Sequence, residues 1–189
     1  MKTSILTALV LFSLVACKKE EKVLPKAIAA PSTSTTVSKS NQDTIPDKAA
    51  FKIKLAKDST NSDETMLSFN HKVSRNYSAN NDAPYFQGFG QVSLASISGN
   101  GVDLAINELP YTPGMSIGLD VHAKTDGAYF LAVSYQNKMP ANIQIWLKDT
   151  YLKDSVNVGA KSYTFKVAKA DTNSFGKNRF RIIFKDINQ

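Results

Sequence analysis

Two histidines and one cysteine are the strongest candidate bases, nucleophiles and soft metal ligands in this chain of 189 residues. His71 and His122 are too few for a three-histidine zinc site, and the sequence singles out no carboxylate to complete a mixed site. Residues 114–118 match G-x-S-x-G, the motif of the nucleophile elbow in serine hydrolases. That elbow needs a strand before the serine, a helix after it and a later acid and histidine, whereas Ser116 lies in an alternating strand pattern. The residues therefore predict no catalytic group, no metal site and no cofactor.

A second set of polar residues has some features of a calcium-binding loop. Asp171, Thr172 and Asn173, followed by Gly176, resemble the opening of such a loop. The position of the bidentate glutamate in an EF-hand is Ile182 here, so a simple turn is the better interpretation.

The cysteine is expected to have a role other than catalysis or metal binding, because it follows an apolar segment near the start of the chain. Residues 5–15 are mostly apolar and follow Lys2. A helix of that length spans roughly 16 Å, against a hydrocarbon core of roughly 30 Å. The segment is therefore predicted to be a signal peptide and not a transmembrane helix.

The residues at the end of this segment are Leu14, Val15, Ala16 and Cys17, and they resemble the lipobox of bacterial lipoproteins. The resemblance implies cleavage after Ala16 and lipidation of the Cys17 thiol. A chance cysteine after an ordinary signal peptide is the alternative. A lipidated Cys17 leaves no thiol for a disulfide or a thiolate metal site, so the fold must depend on its core.

The residues after the cysteine give an expected location. Lys19, Glu20 and Glu21 resemble the export signal of surface lipoproteins from Bacteroidota, which implies a lipid-anchored protein on the outer membrane, facing the exterior. Residues 17–50 have no hydrophobic periodicity and read as a flexible tether. The net charge of +7 is spread along the chain without a basic stripe, so nucleic acid is not an expected partner.

From residue 51 onward the hydrophobic pattern has period two, which predicts strands. In the last such run Phe180, Ile182 and Phe184 are expected to face inward, and Arg179 and Arg181 outward. Asn100-Gly101 and Asp126-Gly127 are typical of two-residue type I′ hairpin turns. We expect residues 51–189 to form an all-β domain. Its predicted architecture is an antiparallel two-sheet β-sandwich of about nine strands, of the jelly-roll or immunoglobulin-like kind.

One long polar segment, residues 70–90, combines aromatic rings with adaptable polar groups and is the candidate ligand-binding loop. Trp146, on the predicted outer face of its strand, could add a stacking platform for a sugar, or could be covered by a loop. The predicted ligand-binding residues are Tyr77, Asn80, Asn81, Asp82, Tyr85, Phe86 and Trp146.

Several short segments are similar to a β-sandwich module of surface proteins that use the type IX secretion system. They include Leu104 to Pro110, Ile145 to Asp149, Tyr163 to Phe165, and Arg179-Phe180. The resemblance runs from about Met66 to Lys185 and implies a non-enzymatic structural, adhesive or partner-binding module. Envelope proteins or glycans are the expected partners. A carbohydrate-binding lipoprotein of a polysaccharide-uptake system is the alternative.

The lipid anchor yields a direct prediction. Replacing Cys17 by serine removes the thiol that would accept the lipid, so the chain should stay uncleaved after Ala16 and should no longer label with radioactive palmitate. Labelling followed by membrane fractionation measures both effects. Normal cleavage and labelling of the Cys17→Ser chain would refute the anchor.

Overall fold

The computed structural model describes residues 45–188 of the chain. The predicted cleavage site at Ala16, the lipidation site Cys17 and the export signal Lys19, Glu20 and Glu21 lie outside the described residues. The folded region begins earlier than the predicted residue 51, because Ile45 and Ala49 are buried in the core. The N–H of Phe69 donates a hydrogen bond to the carbonyl of Ala49, which attaches this first segment to the sheet.

The described chain is all-β, as predicted, with a single 3₁₀ turn at Thr172–Ser174. Its eleven strands are β1 (Ala50–Ala56), β2 (Ser62–Phe69), β3 (Ala83–Pro84), β4 (Val92–Ile97), β5 (Asp103–Leu109), β6 (Ser116–Ala123), β7 (Gly127–Asn137), β8 (Ile143–Asp149), β9 (Asp154–Asn157), β10 (Tyr163–Val167) and β11 (Phe180–Asp186). Within residues 45–188 no helical segment has the length and apolar character needed to span a membrane.

The strands form one continuous path in the order β10-β7-β1-β2-β5-β4-β6-β11-β8-β9, with β3 paired to β5. All pairs are antiparallel except β2 and β5, which are parallel, so the predicted fully antiparallel sheet is wrong at this pair. The path is nearly closed into a barrel. The carbonyl of Val158 accepts a hydrogen bond from the N–H of Val133 in β7, and the N–H of Gly159 donates to the carbonyl of Ile145 in β8. This short segment therefore links the two strands that lie next to the ends of the path.

Inward-facing side chains from opposite parts of the sheet meet in one core. Phe51 of β1 and Phe69 of β2 contact Phe184 of β11 edge-on, with ring centroids 5.8 and 5.5 Å apart. These contacts follow from the period-two pattern, which puts every second residue of each strand on the inner face. The alternation seen in the sequence therefore places the core correctly.

The structure corrects the predicted strand number and both predicted hairpin turns. The sequence pattern missed two short strands: β3 has only two residues, too few to show alternation, and β9 has a single apolar residue among four. Gly101 has a φ of 86°, but Asn100 has no positive φ, so the turn between β4 and β5 is not type I′. Asp126 and Gly127 do not close a hairpin, because β6 pairs with β4 and β11 whereas β7 pairs with β1 and β10.

A further correction concerns Arg179, which was expected to face outward and is buried. Its guanidinium donates hydrogen bonds to Asp149, with Nη2 2.8 Å from Oδ2, and both side chains are 1% exposed. The guanidinium also lies over the rings of Phe165 and Phe180, with centroid distances of 4.8 and 4.7 Å. Its Nη1 donates to the carbonyls of Lys166 and Ser174. This one side chain joins β8, β10, β11 and the 3₁₀ turn.

Both carboxylate oxygens of Asp149 also have hydrogen-bond partners besides Arg179. Its Oδ1 accepts hydrogen bonds from the N–H groups of Tyr151 and Leu152, and its Oδ2 accepts one from the Tyr163 hydroxyl at 3.1 Å. Burial, with the nearby Asp149 charge, raises the pKa of Tyr163 to about 12, so the phenol stays a donor across the physiological range. Every strong polar group in this cluster therefore has a partner, which is the condition for a buried ion pair to be tolerated.

Breaking this pair should destabilise the domain strongly. Replacing Asp149 by asparagine leaves the buried guanidinium without a counter-ion, and such changes cost about 3–5 kcal/mol of the free energy of unfolding. Glu64→Gln is the matched control, because it breaks the exposed pair of Glu64 with Lys52, 3.4 Å apart, which should cost less than about 1 kcal/mol. Urea unfolding of the two variants measures both values, and equal losses would contradict the role given to Arg179.

Candidate functional site

The segment of residues 70–90 is fixed against the sheet through most of its length. Asp82 accepts hydrogen bonds from the N–H of Ser78 at 2.7 Å and from the N–H of Glu108 in β5 at 2.8 Å. The N–H of Tyr77 donates to the side chain of Asn100 at 2.9 Å. Asp82 is thus committed to the fold and does not present its carboxylate to a ligand. Asn80 is exposed and Asn81 is half-buried beside it.

Tyr85 is also a structural residue. Its hydroxyl donates to Asp63 of β2 at 2.6 Å, and the same carboxylate oxygen accepts the N–H of Leu94 in β4 at 2.9 Å. Partial burial and the hydrogen bond to Asp63 raise the pKa of Tyr85 to about 12. The ring therefore locks the end of the segment onto β2 and β4 and is not free to stack on a ligand.

Beyond Tyr85 the chain rises from the surface in a loop that we call the phenylalanine loop, residues 86–89. Phe86 is 84% exposed and Phe89 is fully exposed. Lys124 holds the base of the loop, because its Nζ donates to the carbonyl of Phe89 at 2.8 Å and its N–H donates to the carbonyl of Gln91. Phe86 was predicted as a ligand-binding residue. Phe89 was not predicted as a ligand-binding residue, although the sequence shows two phenylalanines on either side of a glycine in a polar loop.

Trp146 is not part of the same surface. It lies on β8, and β4, β6 and β11 separate that strand from β5. Its Nε1 donates to Gln144 at 2.9 Å, and Lys185 of β11 lies over its ring with Nζ 3.5 Å from the centroid. A lysine above the ring occupies the face that a sugar would stack on, so Trp146 has a cross-strand cation–π contact in place of an open platform.

The G-x-S-x-G serine has no catalytic geometry. Ser116 is the first residue of β6, so a strand follows it where an elbow requires a helix. Its hydroxyl accepts a hydrogen bond from Nε of Arg181 at 2.7 Å. His122 lies six residues further along the same strand, about 20 Å away at the usual rise per residue.

His122 has a partner of its own on the outer face of β6. Its Nε2 is 2.8 Å from Oδ1 of Asp120, a buried carboxylate oxygen that has no other partner in the described chain. A proton on Nε2 satisfies that oxygen, and this hydrogen bond raises the pKa of His122 against the opposing effects of partial burial and Lys169. Lys177 lies on the other side, 2.7 Å from Asp103 and 3.8 Å from Asp120. Both histidines of the sequence are exposed, as predicted, and His71 contacts Asp47.

The suspected calcium loop is a turn, as the sequence indicated. Asp171 caps the 3₁₀ turn by accepting the N–H of Asn173 at 3.0 Å, and it accepts the Tyr151 hydroxyl at 2.8 Å. Gly176 follows with a φ of 85°. Residues 45–188 contain no group of three or more histidine, cysteine or acidic side chains arranged to hold a metal ion.

Three residues that the sequence reasoning did not single out meet beside Ser116: Arg75, Asn107 and Arg181. They come from the segment after β2, from β5 and from β11. No local spacing could have grouped them, because the twist of the sheet brings these elements together.

Comparisons with protein-family models, with curated proteins and with solved structures find no match to this chain.

The His122–Asp120 contact makes stability depend on pH in a defined direction. Because the pKa of His122 is raised in the folded state, its stabilisation is complete below its unfolded pKa of about 6.5 and is lost as the pH rises through the folded pKa. The melting temperature of the wild type should therefore exceed that of His122→Gln by more at pH 5.5 than at pH 8.5. In an Asp120→Asn background the same substitution should lose this pH dependence. A difference that grows with pH would contradict the assignment.

Proposed function

We propose that this chain is a lipid-anchored surface protein whose β-domain is a non-enzymatic partner-binding module, with the phenylalanine loop as its contact. The observation that carries the proposal is the exposure of Phe86 and Phe89 on a segment that is otherwise fixed by hydrogen bonds. Large exposed aromatic side chains held on a firm base are typical of interaction sites.

The position of the loop favours a partner other than the anchoring membrane. Lys124, which bonds the carbonyl of Phe89, lies just before the start of β7. Ala50, by contrast, pairs with Asn137 at the other end of β7. β7 has eleven residues and spans about 33 Å. Ile45 and the phenylalanines thus lie at opposite ends of the domain. A chain anchored through its N-terminal segment can present the loop away from its own attachment point.

The chemistry of the loop favours an apolar pocket on an envelope protein. Full burial of a phenylalanine side chain contributes about 1.5–3 kcal/mol, so burying both could supply most of the affinity of a moderate complex. Gln87, Gly88 and Gly90 add no charge to the loop. A protein pocket that accepts two rings fits this surface better than a hydrophilic glycan does.

The alternative, a carbohydrate-binding lipoprotein for polysaccharide uptake, has less support from these contacts. Tyr85 is bonded to Asp63, and Trp146 is covered by Lys185. Export to the outer leaflet through Lys19, Glu20 and Glu21 remains part of the proposal. So does the finer description of the fold as a jelly-roll or immunoglobulin-like sandwich, which the contact of Phe51 with Phe184 across the core supports.

Site-specific photocrosslinking tests the contact in intact cells. A photoreactive phenylalanine analogue at position 89 should give one discrete protein adduct. The same analogue at position 135 should not, because Tyr135 is exposed on β7 outside the loop. The double variant Phe86→Ser, Phe89→Ser should keep the wild-type melting temperature and should weaken binding to the purified adduct partner by roughly 10²–10⁴-fold.

Three outcomes would contradict the proposal. One is equal crosslinking from positions 89 and 135, which would indicate random collisions. Another is flotation of the Cys17→Ser chain with phospholipid vesicles in a manner that depends on Phe86 and Phe89, because the loop would then insert into membranes. The third is a large drop in the melting temperature of the double variant, which would mean that the rings pack within the domain.

A further inference from the structure

A cavity of about 340 Å³ lies between the turn that follows β4 and the start of β6. Its polar lining includes Arg75, Asn107, Ser116 and Arg181. No aspartate or glutamate of the described chain lines it. Ligand pockets in proteins measure about 300–1,000 Å³, so this cavity lies at the lower end of that range and suits a small ligand.

The two arginines converge on one residue without a counter-ion. Nη2 of Arg75 is 3.1 Å from the carbonyl oxygen of Ser116, and Nη2 of Arg181 is 3.5 Å from the same oxygen. The two guanidiniums are therefore neighbours, and neither forms an ion pair within residues 45–188. Lys148 lies directly opposite Arg181 on β8 and adds a third positive charge to this outer face. Like charges placed together in this way repel one another, and an anion between them removes the repulsion.

Asn107 supplies an independent observation. Its side chain is only 3% exposed and lines the cavity, yet its amide has no hydrogen-bond partner among the described residues. The residue lines the cavity, and an asparagine side chain can donate two hydrogen bonds and accept two, so its amide can bond a group that enters there. Leu109, two residues further along the same face of β5, is apolar and buried, so a polar residue at position 107 is unexpected for packing alone.

Two glycines build the walls of the cavity. A Cβ at Gly99 would lie 2.7 Å from Oδ1 of Asn76 and 3.0 Å from the carbonyl of Arg75, so only glycine lets the turn approach that segment. The N–H of Gly99 donates to the Arg75 carbonyl, which fixes the backbone that carries the first guanidinium. A Cβ at Gly118 would lie 3.0 Å from Cδ1 of Ile97. The first contact packs the turn against the segment that carries Arg75, and the second lets the Ile97 side chain of β4 pack against β6.

We propose that this cavity is a binding site for a small organic oxyanion, of about the size of an acidic monosaccharide. Its carboxylate, sulfate or phosphate group lies between Arg75 and Arg181, and the Asn107 amide bonds a ring hydroxyl or an ester oxygen. Guanidinium groups bind planar or tetrahedral oxyanions through paired N–H donors, which suits all three groups. The site is separate from the phenylalanine loop and does not depend on its function.

Isothermal titration calorimetry of the full chain in detergent, at low salt, tests the site with glucuronate, glucose 6-sulfate and glucose 6-phosphate as probes. At least one probe should bind, and the three arms decide which anionic group the arginines select. Glucose, which lacks the charge, should not bind. Arg75→Gln and Arg181→Gln should each weaken binding by about tenfold or more, because a hydrogen bond to a charged group is lost. Lys166→Gln, which removes one positive charge from the distant strand β10, should leave binding unchanged.

A further variant separates the amide from the charges. Asn107→Asp keeps the shape of the side chain but adds a negative charge to the cavity, and it should abolish binding of all three probes. Melting temperatures of each variant show whether the domain is still folded, and Arg75→Gln is the decisive substitution because that side chain is exposed.

Three results would overturn the proposal. The first is no binding of any charged sugar at millimolar concentration. The second is binding that Arg75→Gln and Lys166→Gln weaken equally, since this would show attraction to the general positive charge of the domain. The third is binding of inorganic phosphate as tight as that of glucose 6-phosphate, because the sugar ring would then make no contact with Asn107.

Discussion

The buried ion pair of Arg179 with Asp149 is the interaction on which the closure of the sheet depends. Four strands or turns converge there, and the guanidinium bonds a carboxylate and two carbonyl oxygens while aromatic rings cover its faces. A charge so deeply buried is tolerated only when its donors are satisfied. The positions of β8, β10, β11 and the 3₁₀ turn are therefore coupled, and none can shift without exposing a costly polar group. The nearly closed barrel follows from this local electrostatic requirement as much as from its apolar core.

The sequence could predict the core but not this pair. Phe180, Ile182 and Phe184 show their inward direction by alternation, because that signal is local and has period two. Arg179 precedes the run and has the same parity as Arg181, so the pattern assigned it to the outer face. Its actual environment is made by Asp149, Phe165 and Lys166, which lie 13 to 30 residues away. Long-range partners of this kind leave no trace in spacing.

The same limitation explains the outcome at the candidate sites. The segment of residues 70–90 was recognisable as unusual from its length and composition, and two of its phenylalanines are indeed exposed. The predicted roles of Tyr85 and Asp82 could not be judged from the sequence, since each is decided by a partner on another strand, Asp63 or Glu108. An aromatic ring or a carboxylate in a loop has the same appearance in a sequence whether it binds a ligand or holds the loop in place.

The cavity beside Ser116 shows how the outer face of a strand can become an interior. Alternation predicts one solvated face for β6, yet Ser116, Gly118 and Asp120 on that face are all partly or fully buried. Two close contacts contribute: Gly99 lets the turn after β4 approach Arg75 and Asn76, and Gly118 lets the side chain of Ile97 pack against β6. When a polar face is covered in this way, a cavity forms in which polar groups are partly shielded from water and do not all have hydrogen-bond partners. Arg75, Arg181 and Asn107 line that cavity. Asn107 and Arg181 lie on strands of the sheet, and the backbone of Arg75 is held by the hydrogen bond from Gly99, so the backbones that carry these groups are fixed, which is the condition under which a few polar contacts can select an anion.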